Sequence, residues 1–216
     1  MQDRPGSSNI RMLGRGVIFA TSNPHKVAEA RAILAALGID VRSLDDLGRT
    51  LPEPEEDGVT FEDNARLKAR YYAHALGVTC LAEDSGLEVD ALGGAPGVHS
   101  ARYSGIGGAR DQRDRANNEK LLRELEGVPV ERRQARFVCT LALADPDGTI
   151  RAEARGTYEG VIALAPRGAN GFGYDPLLFL PDRGCTSAEL SPSEKHARSH
   201  RGVALRKLAA LLAAQR

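Results

Sequence analysis

The sequence predicts a mixed α/β protein: an elongated sheet flanked by helices, with two lobes around a central cleft. Three observations carry that prediction. Helical and strand-like segments alternate through the first half of the chain, as strand–helix–strand units require. Asp145-Pro146-Asp147-Gly148, set between two β-rich runs, is a hairpin signal in the middle. The last helical stretch opens on the capping box Ser191-Pro192-Ser193-Glu194, with proline at the first helical position. A chain of 216 residues, 42% of them hydrophobic, can bury a sizeable core. No internal repeat or linker-like shift divides it, so it reads as a loose leader over 1–15 and one two-lobed domain over 16–216.

The elements follow in order. Val17 to Ala20 is a short apolar strand. Lys26 to Leu37 places Val27, Ala30, Ile33, Leu34 and Leu37 on one helical side, with Gly38 as a stop. Ile39 to Leu44 alternates as a strand, and Asp45 to Gly58, acidic and with two prolines, is a loop. Thr60 caps a helix to Leu76, with Asp63 three residues on and Gly77 beyond it. Val78 to Ala82 and Leu87 to Leu92 read as two strands around Glu83-Asp84-Ser85-Gly86. Gly93 to Gly97 is a turn-rich loop, and Asp111 to Glu126 a helix with Leu121, Leu122 and Leu125 inward, stopped by Gly127. Ala135 to Ala144 and Thr149 to Tyr158 form the hairpin arms, and Leu177 to Leu180 is a further strand. The final helical stretch runs to Ala214, with Gly202 as its candidate bend.

Composition narrows the function. Lys and Arg together number 29, as do Asp and Glu, so formal net charge is zero. That argues against a nucleic acid polymer as partner. No apolar run approaches the roughly 20 residues that span a bilayer. Met1 to Arg15 holds no apolar stretch of the secretory kind. Three cysteines are an odd count, and Cys80 and Cys139 lie in apolar runs as inert thiols do. A cytoplasmic setting is the expectation.

Two distant segments suggest a nucleotide. Thr21-Ser22-Asn23-Pro24-His25-Lys26 follows a strand and opens a helix, where free N–H groups and the helix dipole favour an anion. Ser199-His200-Arg201-Gly202 sets a histidine beside an arginine, suited to the edge of a flat polar ligand. Acidic residues add a third signal. Asp84 stands at an expected strand end, and oxygen ligands there suit a hard cation that bridges phosphates. Glu55-Glu56-Asp57, taken alone, reads as solvated loop charge. Lys68 shares a helix face with Asn64. Lys195 sits in the first turn of its helix, where the dipole disfavours a cation, which hints at an anionic partner. Gly171-Phe172-Gly173-Tyr174-Asp175-Pro176 is either a tight turn or a stacking platform, with Asp175 able to accept from a ring N–H.

In these segments the chain resembles the inosine triphosphate pyrophosphatase family, which hydrolyses deaminated purine nucleoside triphosphates. The resemblance rests on Thr21 to Lys26, Thr60 to Ala65, Asp84 to Leu87, Gly93 to Gly97, Ser100 to Gly105, Gly171 to Pro176 and Ser199 to Gly202, all in family order. Two departures are Glu83, where the family commonly has aspartate, and the long leader.

The resemblance implies release of pyrophosphate and a nucleoside monophosphate. It implies that Ser22, Asn23 and Lys26, within the turn that also holds Thr21, Pro24 and His25, grip the triphosphate with Lys68 nearby. Asp84, with Glu55 or Glu56, would bind Mg²⁺, and Asp84 would be the base for the attacking water; Asp84 and Lys68 are thus the catalytic candidates. Ser85 would touch substrate, while Phe172, Gly173, Tyr174, Asp175, Lys195, His200 and Arg201 would enclose the base. Arg201, rich in donors, would suit a 6-oxo purine over adenine. A homodimer is also implied. Two alternatives are a Maf-type pyrophosphatase for pyrimidine or modified nucleotides, and a nucleotide-binding regulator without turnover.

Overall fold

The computed structural model describes residues 16–35, 38–49 and 51–214. The leader and Leu37 lie outside the described residues. Among those residues, seven strands form one sheet in the order β2-β1-β3-β4-β5-β6-β7. The strands are β1 Val17–Phe19, β2 Val41–Ser43, β3 Cys80–Val89, β4 Gln134–Ala144, β5 Ile150–Ile162, β6 Leu178–Leu180 and β7 Cys185–Thr186. β2, β1 and β3 run parallel, and the remaining neighbours are antiparallel. The helices are α1 Pro24–Ala35, α2 Phe61–Leu76, α3 Arg110–Glu124, α4 Pro192–Arg198 and α5 His200–Ala214. The mixed, helix-flanked sheet is the fold class the sequence predicts.

Local signals placed most of these elements. Thr60 caps α2 by accepting from Asp63 N, and Gly77 ends it at φ +66°, a left-handed angle that costs a glycine little. α1 begins two residues before the expected Lys26. Asn23 Oδ1 accepts from His25 N at 3.1 Å, and Pro24 takes the first position, where a missing N–H costs nothing. The hairpin turn closes through Asp145 N to Thr149 O at 2.9 Å, and both arms are longer than expected.

Two expectations are corrected. Residues 80–89 form one strand, not two around a turn, and β3 pairs with β4 without a break from Cys80↔Ala144 to Val89↔Ala135. Asp, Ser and Gly favour turns, but the long β4 partner overrides that local preference. The second correction concerns the last helical stretch, which breaks at Ser199 rather than Gly202. Ser199 leaves the helical region at ψ 151°, and its Oγ accepts from Gly202 N at 2.9 Å, so it caps α5.

The cleft follows from strand lengths. β1 pairs with β3 only at Ile18↔Cys80 and Phe19↔Leu81. Past Leu81, that edge of β3 is released. At Gly86 the segment 97–102 closes in: an added Cβ would lie 2.4 Å from Ser100 Oγ, and Leu87 N donates to that oxygen at 2.8 Å. The open edge between these points carries Glu83, Asp84 and Ser85. One apolar cluster packs α1 and α5 against the sheet, a second packs α2, and a third gathers α3, β6 and the 174–190 segment.

Candidate active site

A cavity of about 360 Å³ opens at this released edge. Thr21, Ser22, Asn23 and Lys26 line it from the β1–α1 turn, and Glu56 and Lys68 from the α2 side. Ser85 lines it from β3, Phe172 to Asp175 from their turn, and Lys195, His200 and Arg201 from α4 and α5. The structure thus brings together nearly all the expected site residues. Asp84 sits just behind Lys68. Pro24 and His25 are not lining residues, although the His25 ring lies 5.9 Å from that of Phe172. Glu55 is exposed and does not line the cavity, so Glu56 is the acid that meets Lys68.

Neighbouring strand residues point to opposite faces of a sheet. Asp84 therefore faces α2, while Glu83 faces α1 and α5. Asp84 Oδ1 accepts from Lys68 Nζ at 3.1 Å, Oδ2 accepts from Asn64 Nδ2 at 3.1 Å, and Lys68 also donates to Glu56 Oε1 at 3.1 Å. Burial pushes the Asp84 carboxyl above its ordinary range; Lys68 opposes this, and Glu56 adds to it. Burial alone would lower Lys68, but the Asp84 and Glu56 carboxylates outweigh it and raise the ammonium.

On the other face lies a buried ion network that sequence reasoning missed in part. Arg201 Nε and Nη2 donate to Glu83 at 2.6 and 2.9 Å, and Nη1 donates to Glu29 at 2.6 Å. Lys26 Nζ lies 2.8 Å from Glu83 Oε1. Burial alone would raise the Glu83 carboxyl, yet Arg201 and Lys26 hold it well below the usual carboxylate range. Arg201, expected to face the base, lines the cleft but spends most of its donor capacity on these acids. Glu29 carried a usable signal, since three residues past Lys26 is the same helix face.

The turn after Gly171 is equally committed. Asp175, 2% exposed, accepts at Oδ2 from Phe172 N at 2.8 Å and from Lys195 Nζ, and at Oδ1 from Ser187 Oγ at 2.8 Å. Asp175 holds the turn in shape and has little capacity left for a ligand N–H. Tyr174 donates to Ser100 O at 2.8 Å. What the turn offers the cleft is the Phe172 ring, with Lys195 Nζ 5.1 Å from its centre. Glu53, which accepts from Ser22 Oγ at 3.2 Å, and Arg110, Arg113 and Asp114 of α3 also line the cleft and were missed.

His200 stacks on Phe137 with ring centres 5.1 Å apart. It is 8% exposed, and among the described residues its Nδ1 meets no partner. Burial, with the Arg201 charge beside it, holds it well below imidazole's ordinary 6.5. The fold keeps it neutral, whereas an unfolded chain takes up a proton as pH falls through 6.5. Its contribution to stability is therefore full above that pH and is lost below it. The Glu83 contribution is full above its ordinary 4.5 and begins to be lost only as pH falls below that value. Urea titration is expected to give a smaller unfolding free energy just below pH 6.5 than above it, and His200→Gln should flatten that limb. A wild-type profile flat down to 4.5 would contradict the assignment.

The Ham1 family model matches residues 17–211. A dITP/XTP pyrophosphatase of Nitratidesulfovibrio vulgaris is 56% identical over 196 residues, 89% of this chain and 93% of its own length. One from Exiguobacterium sibiricum is 54% identical over 91% of this chain and 96% of its own. A HAM1 protein from Coxiella burnetii superposes with a TM-score of 0.82 at 40% identity, covering 92% of this chain and 98% of the other. Matched in sequence and in overall fold, the chain belongs to the Ham1 family.

Proposed function

We propose that this protein hydrolyses deaminated purine nucleoside triphosphates (ITP, dITP and XTP) to the monophosphate and pyrophosphate. The observation that carries this reading is a single cleft lined by Ser22, Asn23 and Lys26 at the helix start, by Glu56 and Lys68, and by the Phe172 ring, with Asp84 bonded to Lys68 just behind that lining. The helix start and Lys26 suit the phosphates, and the ring suits a base. His200, kept neutral and lining the cleft, would give the base edge a polar partner. Two relatives in other organisms bear the name dITP/XTP pyrophosphatase, which supports this substrate class.

Among the described residues no group of three or more His, Cys, Asp or Glu gathers for a metal, so a magnesium ion here would take two carboxylates and complete its shell with waters and phosphate oxygens. Asp84 Oδ1 and Glu56 Oε1 both lie 3.1 Å from one ammonium, so two hard oxygen donors converge where a cation belongs. Asp84 and Glu56 would hold Mg²⁺, which when bound polarises phosphate and water. Asp84 accepts the proton of the attacking water, with Asn64 fixing its carboxylate. Lys68 takes up charge that develops on the phosphates, and Lys26 and the α1 N-terminus hold the pyrophosphate end. Substitution at phosphorus needs this neutralisation and in-line placement, with no covalent intermediate.

Residues 16–216 act as one domain, and the working form is a cytoplasmic homodimer. Among the described residues no helix is long and apolar enough to cross a membrane. Incubation with inosine triphosphate and Mg²⁺ should release pyrophosphate, with adenosine and uridine triphosphates turned over poorly. Orthophosphate as the first product would overturn this reading, as would a preference for the pyrimidine nucleotide.

A further inference from the structure

Two exposed arginines of α3, Arg110 and Arg113, line the cleft. The Arg110 guanidinium lies over the Phe172 ring, its carbon 4.5 Å from the centroid. This is a placed contact. α3 is pinned to the turn that carries Phe172: Gly173 N donates to Asp114 Oδ2 at 2.8 Å, and Asn118 Nδ2 donates to Gly173 O at 3.0 Å. Arg110 stands one helical turn before Asp114, so these ties hold it above the ring. Its own nearest carboxylate, Asp114, is 3.9 Å from Nε, a loose tether. Arg110 is also the first residue of its helix, where a cation is disfavoured by the dipole. Folding alone gives little reason for arginine there.

We propose that Arg110 is a base-binding residue that forms a movable roof over Phe172. The guanidinium covers the ring face in the free protein. A purine entering the site takes that face, and the planar guanidinium stacks on the base's far side. Arginine suits this role because its flat, weakly hydrated cation stacks on π-systems, which a lysine ammonium does not reproduce. The slack of the Asp114 tether gives the side chain freedom to rise by the thickness of a ring. Arg110 acts on the nucleobase and not on the phosphates. The proposal rests on the deaminated-purine reading above.

The test is calorimetric binding of inosine monophosphate and of pyrophosphate, together with steady-state kinetics on inosine triphosphate. Arg110→Ala is expected to weaken inosine monophosphate about fivefold. KM should rise to match, with kcat and pyrophosphate affinity near wild type. Arg110→Lys, which keeps the charge and loses the flat stack, should recover less than half of the lost affinity. Arg115→Ala, exposed on the same helix and outside the cleft, serves as the folding and charge control and should leave all three quantities unchanged. Unchanged inosine monophosphate affinity in a folded Arg110→Ala protein would overturn the proposal. Full recovery in Arg110→Lys, or an equal loss of pyrophosphate binding, would overturn it as well, since either assigns Arg110 to charge on the phosphates. Wild type that binds no inosine monophosphate would instead overturn the substrate reading, and this proposal with it.

Discussion

Asp84→Asn is expected to lower kcat for inosine triphosphate by about a hundredfold to ten-thousandfold, the range for loss of a proton acceptor. Nucleotide affinity should stay within a few-fold, because Ser22, Asn23, Lys26 and Phe172 are untouched. Two effects act together. The amide cannot take a proton from water, and it removes one of two charged oxygens that converge on Lys68 at 3.1 Å. Its shape is conserved, and Asn64 Nδ2, which donates to Asp84 Oδ2, can donate equally to an amide oxygen. A folded variant is therefore expected, and the loss should be in turnover. Pyrophosphate release timed alongside calorimetric nucleotide binding separates the two. A variant within tenfold of the wild-type rate would remove Asp84 from both the base and the metal role.

Arg201→Met should destabilise the fold by about 3–5 kcal/mol, the usual cost of stripping one partner from a buried ion network. Methionine fills much of the volume but leaves Glu29 and Glu83, 5% and 3% exposed, without the guanidinium that satisfied them. Lys26 remains for Glu83, whereas among the described residues Glu29 keeps only Ser199 Oγ. Urea unfolding measures the effect directly. The alternative role, in which Arg201 chiefly reads the base, predicts a stable protein with raised KM. An unfolding free energy within about 1 kcal/mol of wild type would favour that alternative and reject the network argument.

The sequence was readable where chemistry is local. The α2 cap at Thr60, the Ser191 capping box and the Asp145 hairpin turn are each complete within a few residues, and each stands as expected. It misled where a distant partner decides. Glu83 to Gly86 look like a turn until β4 is laid beside them. Gly202 looks like a bend until Ser199 Oγ is seen to accept from its N–H as a cap. The site residues converge as their motifs suggested, but how each spends its polar atoms was not legible. Arg201 and Asp175 carry donors and acceptors that a sequence shows as available, and the fold has consumed most of them. Arg110 was hidden for the opposite reason: an exposed arginine among charged neighbours carries no pattern until Phe172 lies beneath it.

The alternation of Glu83 and Asp84 has a final consequence. The two acids are adjacent and nearly identical, yet one meets the buried Arg201 guanidinium and the other meets Lys68 beside the cleft. Only the alignment of β3 with its neighbour distinguishes them. A slip by one position would hand the shorter acid to the guanidinium and the longer one to Lys68, inverting both tasks without changing a single side chain. The length of that pairing thus sorts twin acids into separate careers, which explains why so small a cleft is backed by so long a ribbon.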